Sequence, residues 1–501
     1  MFLAGAAQPR LLWLLAILLG VFIARLPLPV AAALVFGAAA FLLVLIEPLL
    51  GLGLALLTGP FGALESLILP GLPLDSGQLL LLLTFAAWMG QGMLNHRILL
   101  PRTALSVPLL SFLFVAALTL TSAPSLAFGM KELLKWIEVL LVMLLVVDRA
   151  GGRQPSAGAA GRVNGVGFVL AILLLAGLSQ AAVGIWQFGL RGDGPEHFLI
   201  LGHFYRAYGT FEQPNPFGGF MNLSALLALG TLLGSVTATW FRWRARKQEA
   251  ARPGRWTAGW SVLILTAGTA AATGLGLLFS WSRGAWLGFA AGITALVFVW
   301  PRKRRYGLLA LLLGAGVALM LLAAGVRWHL LSDEVLDRIT GFSEDLRFGD
   351  VRGVDINDAN YAVLERLAHW QAALDMARDH LWLGVGFGNY EPAYADYALI
   401  NWPDPLGHAH NYYLNILAET GMLGLVAYLI FWTAVLRQLM KQLRGLGWPR
   451  RGIAMGLLAA WIALSIHHLV DKLYVNNIYI HIGAMLGLQQ ILEQEEVEIH
   501  E

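Results

Sequence analysis

The stretch Gly407-His408-Ala409-His410-Asn411-Tyr412-Tyr413 joins two parts of the chain that differ sharply in composition. An apolar run follows it to about residue 436, which is long enough for a membrane-spanning helix. Residues 326–407 precede it and have the composition of a soluble protein. Two histidines, an amide and two tyrosines therefore stand at the boundary between a polar segment and an apolar helix. We interpret this junction as part of a site at a membrane surface.

The composition excludes a soluble globular protein. Of the 501 residues, 58% are hydrophobic and 13% are charged, whereas a soluble domain averages about 25% charged residues. The apolar residues form solid blocks, which differ from the alternating pattern of a β-barrel. We predict an all-α, polytopic transmembrane bundle of about 12–14 spans with one large, partly helical outer loop. Because the chain has no cysteine, disulfides, thiol nucleophiles and Cys-ligated metals are excluded.

The apolar runs divide the chain into about fourteen candidate spans. They lie near residues 11–24, 28–46, 49–64, 77–93, 104–121, 131–148, 164–190, 216–240, 258–280, 284–300, 306–325, 410–436, 453–470 and 476–492. The third has several glycines and a proline, which favour a broken or re-entrant segment. We assign N-terminal helices to 1–163, central helices with arginine-bearing outer loops to 164–325, the outer loop to 326–407, C-terminal helices to 408–492 and an acidic cytoplasmic tail to 493–501.

The placement of Lys and Arg sets the orientation, because cytoplasmic loops carry an excess of both. The basic runs Arg242–Arg255 and Arg302–Arg305 then lie in the cytoplasm, together with the N-terminus. Several polar segments fall together on the outer side: 191–215, 281–283, 326–407 and 472–475.

The outer loop contains patterns typical of helices and turns. Residues 361–380 place Val363, Leu367, Trp370, Leu374 and Ala377 at helical spacing, which predicts an amphipathic helix on the outer rim of the bundle. A short helix near 332–339 would begin at Ser332 as its N-cap. The run Gly384–Tyr390 resembles a phosphate-binding loop but lacks a preceding strand, so we interpret it as a tight turn that packs the loop back on the membrane domain.

Two arginines stand close to apolar spans on the outer side. Arg206 lies in a loop rich in Gly, Pro and Asn, and Arg283 lies in a turn of a few residues between two spans. An arginine near hydrocarbon is costly unless it is paired or functional, and its planar fork suits phosphate oxygens. The pair therefore predicts a diphosphate site; for either arginine alone, the alternative is contact with lipid headgroups.

The junction supplies a candidate general base. A neutral His410 accepts a proton at ordinary pH, and its place at the start of a span leaves the ring facing outward. His408 and His410, with Asp404 nearby, also resemble a metal pair, but the sequence offers no third strong ligand. We therefore predict neither a metal nor a cofactor.

Other polar residues on the outer side are candidates for substrate binding. Lys131 and Lys135 lie four residues apart and either bind an anion or pair with Glu132 and Glu138. The tyrosines near the outer surface either stack on sugar rings or form the interfacial aromatic belt. The predicted substrate-binding set is Asn411, His408, Tyr208, Asn215, Lys131 and Lys135.

In these stretches the chain resembles the O-antigen ligase and polymerase family of bacterial membrane glycosyltransferases. The resemblance rests on Arg206–Phe211 with Pro214–Pro216, Trp281–Ala285, Leu383–Tyr390, and His408–Asn415 with Glu419–Gly421, in that order around a large outer loop. It covers about residues 165–440. The polar insert Ser343–Asn360 departs from the pattern of the family.

The resemblance implies a fold related to C-type membrane glycosyltransferases and a site on the outer side of the bacterial inner membrane. It implies transfer of a glycan from a polyprenyl diphosphate to a lipid or polysaccharide acceptor, with no nucleic-acid partner. Arg206 and Arg283 would bind the diphosphate, and His410 would be catalytic. Polysaccharide polymerase and protein O-oligosaccharyltransferase are alternatives within the family. A polytopic anion transporter is the alternative outside it, although such proteins carry polar residues at the bilayer midplane.

The orientation predicts that Asp355 faces the outer side. A cysteine introduced there, in a chain without native cysteines, should react with a membrane-impermeant thiol reagent in intact cells, whereas Lys303→Cys should react only after permeabilisation. Labelling of Asp355→Cys only in permeabilised cells would reverse the orientation.

Overall fold

A computed structural model describes residues 7–68, 71, 74–96, 100–151, 164–246, 257–329, 333–340, 350–357 and 360–497. These residues are helical apart from turns and one short hairpin, which confirms the all-α class. The N-terminal helices are α1 (Ala7–Ala24), α2 (Leu28–Ile46), α3 (Pro48–Thr58), α4 (Gly62–Ile68), α5 (Ser76–Leu94), α6 (Ser106–Thr119) and α7 (Leu126–Ala150). The central helices are α8 (Gly165–Gly189), α9 (Pro214–Arg246), α10 (Thr257–Phe279), α11 (Arg283–Val299) and α12 (Arg304–Arg327).

The outer loop carries three short or medium helices, and the C-terminal part adds three long ones. They are α13 (Asp333–Thr340), α14 (Tyr361–Asp379), α15 (Tyr390–Ala393), α16 (Tyr412–Gly445), α17 (Arg450–His467) and α18 (Ile478–Val497). Single 3₁₀ turns lie at Gly59–Phe61, Leu120–Ser122, Glu196–Phe198 and Tyr394–Asp396. Strands β1 (Leu199–Ile200) and β2 (Phe204–Tyr205) pair antiparallel, with Leu199 opposite Tyr205.

Within the described ranges, seven helical segments are long and apolar enough to cross a membrane. They are Pro48–Ile68, Ser76–Leu94, Gly165–Gly189, Pro214–Arg244, Trp260–Phe279, Arg304–Arg327 and Tyr412–Gly445, and shorter apolar helices accompany them. The first contains the 3₁₀ turn that separates α3 from α4, where the sequence favoured a broken segment. Helix α18 extends to Val497, so the first residues assigned to the acidic tail are helical. The rest of that tail, like Ser332, lies outside the described residues.

The central packing unit is α9 with α10, α11 and α17. Gly230 and Gly234 of α9 face Gly452 and Gly456 of α17, and a Cβ on Gly234 would lie 2.6 Å from Gly452 Cα. Small residues spaced four apart on both helices let their backbones approach closely, which is the usual way in which helices pack in a membrane. The crossing fixes α17 against α9.

The predicted amphipathic helix of the outer loop is confirmed as α14, and its buried face coincides in part with the predicted one. Leu364, Ala368 and Met376 are buried, whereas Leu374 is 37% exposed. Leu367 and Ala377 of the predicted face are buried. The sequence pattern missed the rest of the buried face because alanines, which carry little hydrophobic signal, line the side that packs on α16.

Helix α16 is broken at Gly421, whose φ of 62° and ψ of −166° lie outside the helical region. The glycine-rich turn after α14 donates to the carbonyls beside the break. Val385 N lies 2.9 Å from Ala418 O, and Gly386 N lies 2.9 Å from Glu419 O. A broken helix is tolerated in a membrane protein where protein groups satisfy the freed backbone. The predicted tight turn is thereby confirmed, and it joins the outer loop to the bundle.

This contact predicts that Gly384→Ala destabilises the protein. Gly384 has φ of +65°, and an added Cβ would lie 2.5 Å from Ala418 O, against backbone that cannot yield. The free energy of unfolding should fall by more than about 1 kcal/mol, measured as a lower thermal midpoint of purified protein. Gly353→Ala is the matched control, because Gly353 also has positive φ (+76°) but no atom near its Cβ position. Equal midpoints for the two variants would contradict the prediction.

Candidate functional site

The junction that precedes α16 is fixed by hydrogen bonds on both sides. Asn411 caps the helix, and its Oδ1 accepts two backbone N–H groups of the first turn at 3.0 and 3.1 Å. Ala409 N donates to Asn415 Oδ1 at 3.1 Å, and Tyr412 N donates to His468 O at 2.8 Å. The oxygen of Asn411, a predicted substrate-binding residue, therefore positions the backbone on which the histidines stand.

His410 occupies a constrained and buried position. Its φ of 49° lies in the left-handed region, which a non-glycine residue adopts only when its surroundings hold it there. Both ring nitrogens are buried, and neither has a hydrogen-bond partner among the described residues. Burial, the charge of Arg366 and the neighbouring His369 lower the pKa of His410 to about 3. The ring is therefore neutral at ordinary pH, with one nitrogen that can donate and one that can accept a hydrogen bond.

Two further histidines surround His410. The ring centroids of His408 and His369 lie 4.5 Å and 5.7 Å from that of His410. His408 Nδ1 accepts the backbone N–H of His410 at 3.0 Å, so a neutral His408 carries its proton on Nε2. That Nε2 lies 3.7 Å from Asp471 Oδ1. His408 thus links the junction to Asp471, in the turn that follows α17.

Asp471 is a site residue that the sequence did not identify as such. Burial raises the pKa of its carboxyl group. His408, His410 and Asp471 have donor atoms within 4.8 Å of one another, which is a spacing that metal ligands adopt; the sequence had offered Asp404 instead. Arg366 and Lys472 lie close enough for their charges to act on these groups, and positive charge opposes the binding of a divalent cation.

The two predicted arginines lie at one turn. Arg206 follows β2, its backbone N donates to Phe198 O at 2.9 Å, and its Nε donates to Ser280 O at 3.0 Å. Ser280 lies three residues before Arg283 in the turn between α10 and α11. Burial and the charges of Arg366 and Arg283 lower the pKa of Arg206 to about 10. The structure therefore brings Arg206 and Arg283 together, although they are far apart in the sequence.

Asn215 connects this turn to the histidines. Its Oδ1 accepts the hydroxyl of Ser282 at 2.8 Å, and its side chain also hydrogen-bonds to Asp471. Asn215, a predicted substrate-binding residue, thus connects the turn before Arg283 with Asp471, which lies beside His408.

Two arginines of the outer loop, Arg338 and Arg366, join the site. Arg338, in the last turn of α13, donates from Nη2 to Trp281 O at 2.6 Å. Arg366, in α14, lies one turn before His369, and its charge acts on Arg206, Arg338 and His410. Burial and the other arginines lower the pKa of Arg338 to about 9. We call Arg206, Arg283, Arg338 and Arg366 the arginine cluster.

Sequence reasoning missed the two loop arginines because they stand in helices with ordinary charged composition. Arg366 lies among Glu365 and other polar residues of an amphipathic helix, where an arginine usually faces solvent. The one available signal is that Arg366 precedes His369 by a helical turn and therefore shares its face.

The remaining predicted residues make other contacts. Lys131 is exposed, and Lys135 Nζ lies 2.8 Å from Glu132 Oε2, which is the pairing that the sequence left open. Tyr208 accepts from Arg191 Nη1 at 3.0 Å. A substrate-binding role for these residues stays a prediction.

Residues 268–429 match the family model described as O-Antigen ligase. The match runs from α10 into α16 and includes Arg283, Arg338, Arg366 and His410. No curated protein matches the chain. This match confirms the resemblance to the O-antigen ligase and polymerase family that the motifs indicated.

Proposed function

We propose that this chain, with its O-antigen ligase domain, transfers a glycan from a polyprenyl diphosphate carrier to an acceptor hydroxyl at the outer leaflet. The reaction would correspond to the ligation of O antigen to lipid A–core and would invert the anomeric centre without a metal. The proposal depends on the surroundings of His410. Its two buried ring nitrogens have no partner among the described residues, and it lies beside the arginine cluster.

In the proposed reaction, the acceptor oxygen forms a bond to the anomeric carbon as its proton passes to a ring nitrogen of His410. The bond from that carbon to the diphosphate oxygen breaks, and its electron pair remains on the leaving diphosphate. Attack from the face opposite the leaving group gives inversion. The lipid diphosphate is a good leaving group, so charge stabilisation contributes more than protonation by an acid.

The arginine cluster suits this leaving group. Preorganised positive charge at the place where an oxyanion develops is often the largest contribution to catalysis. Arg206 and Arg283 would fork onto the phosphate oxygens. Binding of an anion would also offset the charge of Arg366 near His410, so the basicity of His410 would rise once the donor is bound.

An apolar cavity next to the arginine turn supports a lipid-linked donor. It has a volume of about 560 Å³, lies between α10 and α11, and is lined by residues such as Gly274, Leu278, Trp286 and Phe289. The turn that joins these two helices contains Ser280, and Arg283 is the first residue of α11. A polyprenyl chain in the cavity would therefore place its diphosphate beside the arginines.

The proposal predicts that His410→Ala lowers glycan transfer by about 10²–10⁴-fold, the usual worth of general-base assistance. Binding of the donor should persist, because the arginines hold the diphosphate. Transfer is measured with purified protein, a polyprenyl diphosphate-linked glycan and an acceptor, by quantifying released lipid diphosphate and product. His408→Ala should have a smaller effect, and His380→Ala, at an exposed position after α14, should have none.

Transfer by His410→Ala at the wild-type rate would exclude His410 as the base. Loss of wild-type transfer after chelation, with recovery on adding one divalent metal, would show instead that His408, His410 and Asp471 form a metal site.

The low pKa of His410 predicts an unusual pH dependence of kcat/KM. The base is active when neutral, and burial with the charge of Arg366 lowers its pKa to about 3. kcat/KM, which reports ionisations of the free enzyme, should therefore stay level from about pH 8 to about pH 5. An ordinary histidine, with a pKa of about 6.5, would lose roughly tenfold by about pH 5.5. A decline of kcat/KM with its midpoint between about pH 6 and 7 would contradict the lowered pKa of the base.

A further inference from the structure

We propose that the outer loop completes the diphosphate site, with Arg338 and Arg366 as two further anion-binding residues beside Arg206 and Arg283. The inference rests on the proposed function and adds to it. Arg206 and Arg283 would bind the diphosphate of the carrier before cleavage. Arg338 and Arg366, in the outer loop, would bind the negative charge that appears on the leaving diphosphate.

The position of Arg338 is fixed from two directions. Its own Nη2 donates to Trp281 O at 2.6 Å, in the turn that carries Arg283. One helical turn earlier, Glu334 Oε2 accepts Leu201 N at 3.0 Å, in the hairpin that leads to Arg206. Helix α13 therefore spans both arginine-bearing segments, and Arg338 stands where they meet.

Arg366 is the member of the arginine cluster that shares a helix with one of the site histidines. It lies on α14, one turn before His369, whose ring lies 5.7 Å from that of His410. Helix α14 packs on α16 and is continued by the glycine turn that docks at Gly421. The charge of Arg366 acts on the candidate base His410 as well as on Arg206 and Arg338.

Neither loop arginine forms a direct ion pair with a carboxylate in the described part of the chain. The Nε atoms of Arg338 and Arg366 are buried without a hydrogen-bond partner, and neither residue forms an ion pair there. The charge of Arg366 acts on its neighbour Glu365 and on Asp471, whereas no described carboxylate acts on Arg338. Gathering like charges in a partly buried site costs free energy, which a bound anion would offset.

The chemistry of the reaction calls for such an excess of positive charge. A diphosphate esterified to both lipid and sugar gains one negative charge when its bond to the sugar breaks. Two arginines that meet the lipid carrier before cleavage, and two more that meet the added charge, would favour the broken state. We therefore expect the released lipid diphosphate to bind well and a lipid monophosphate to bind poorly.

The test is binding of geranylgeranyl diphosphate and geranylgeranyl monophosphate to the full-length protein in nanodiscs, by calorimetry. Arg338→Gln and Arg366→Gln should each weaken diphosphate binding by about tenfold or more, the usual effect of losing a hydrogen bond to a charged group. The affinity for the monophosphate should change less, so the ratio of the two affinities should become smaller. Arg378→Gln is the matched control, because Arg378 lies on the same helix and is 74% exposed beside Asp375.

Wild-type affinity in both loop variants would overturn the inference, while leaving the proposed function intact if Arg206→Ala still weakens binding. Failure of the wild-type protein to bind either lipid would count against the proposed function itself. Where a Gln variant lowers the thermal midpoint without ligand, Arg338→Lys and Arg366→Lys take its place. They keep the charge but lose the fork, so they should bind diphosphate with intermediate affinity, and wild-type affinity would again overturn the inference.

Discussion

The backbone of α16 needs hydrogen-bond donors and acceptors where it is broken at Gly421, and the outer loop supplies them. Besides the two bonds to Ala418 and Glu419, Met422 N donates to Leu381 O at 2.8 Å. An unsatisfied carbonyl near the hydrocarbon costs several kcal/mol, so the helix and the glycine turn stabilise each other. Because α14 leads directly into this turn, the contact places Arg366 and His369 beside His410. The geometry of the site depends on this one backbone contact.

A second set of buried contacts closes the bundle on the opposite side of the junction. Lys472 Nζ lies 3.1 Å from Glu132 Oε1, and Glu132 also pairs with Lys135. Buried charges of this kind add little net stability, but removing one partner leaves the others uncompensated. The network ties the turn after α17 to α7. It therefore fixes Asp471, the residue before Lys472, opposite His408.

Together these contacts explain how a histidine stays neutral and a group of arginines stays charged in one small region. His410 is held by a capped helix start and by neighbouring rings, and burial with nearby positive charge lowers its pKa. Arg206 and Arg338 donate to backbone carbonyls of Ser280 and Trp281, which orient a cation without cancelling its charge. An anionic substrate would then find preorganised positive charge beside a free base.

The sequence by itself determined the class of the fold and the order of the helices, and it indicated three residues of the candidate site. Solid apolar runs allow only helices in a bilayer, and an arginine or histidine at the end of such a run is conspicuous. Arg206, Arg283 and His410 were identified in that way. The buried face of α14, the loop arginines and Asp471 were decided by the tertiary structure. Each stands in a segment of ordinary local composition, and its surroundings come from helices distant in the chain. Local periodicity reports that a helix forms, but which of its faces is buried depends on the partner that covers it.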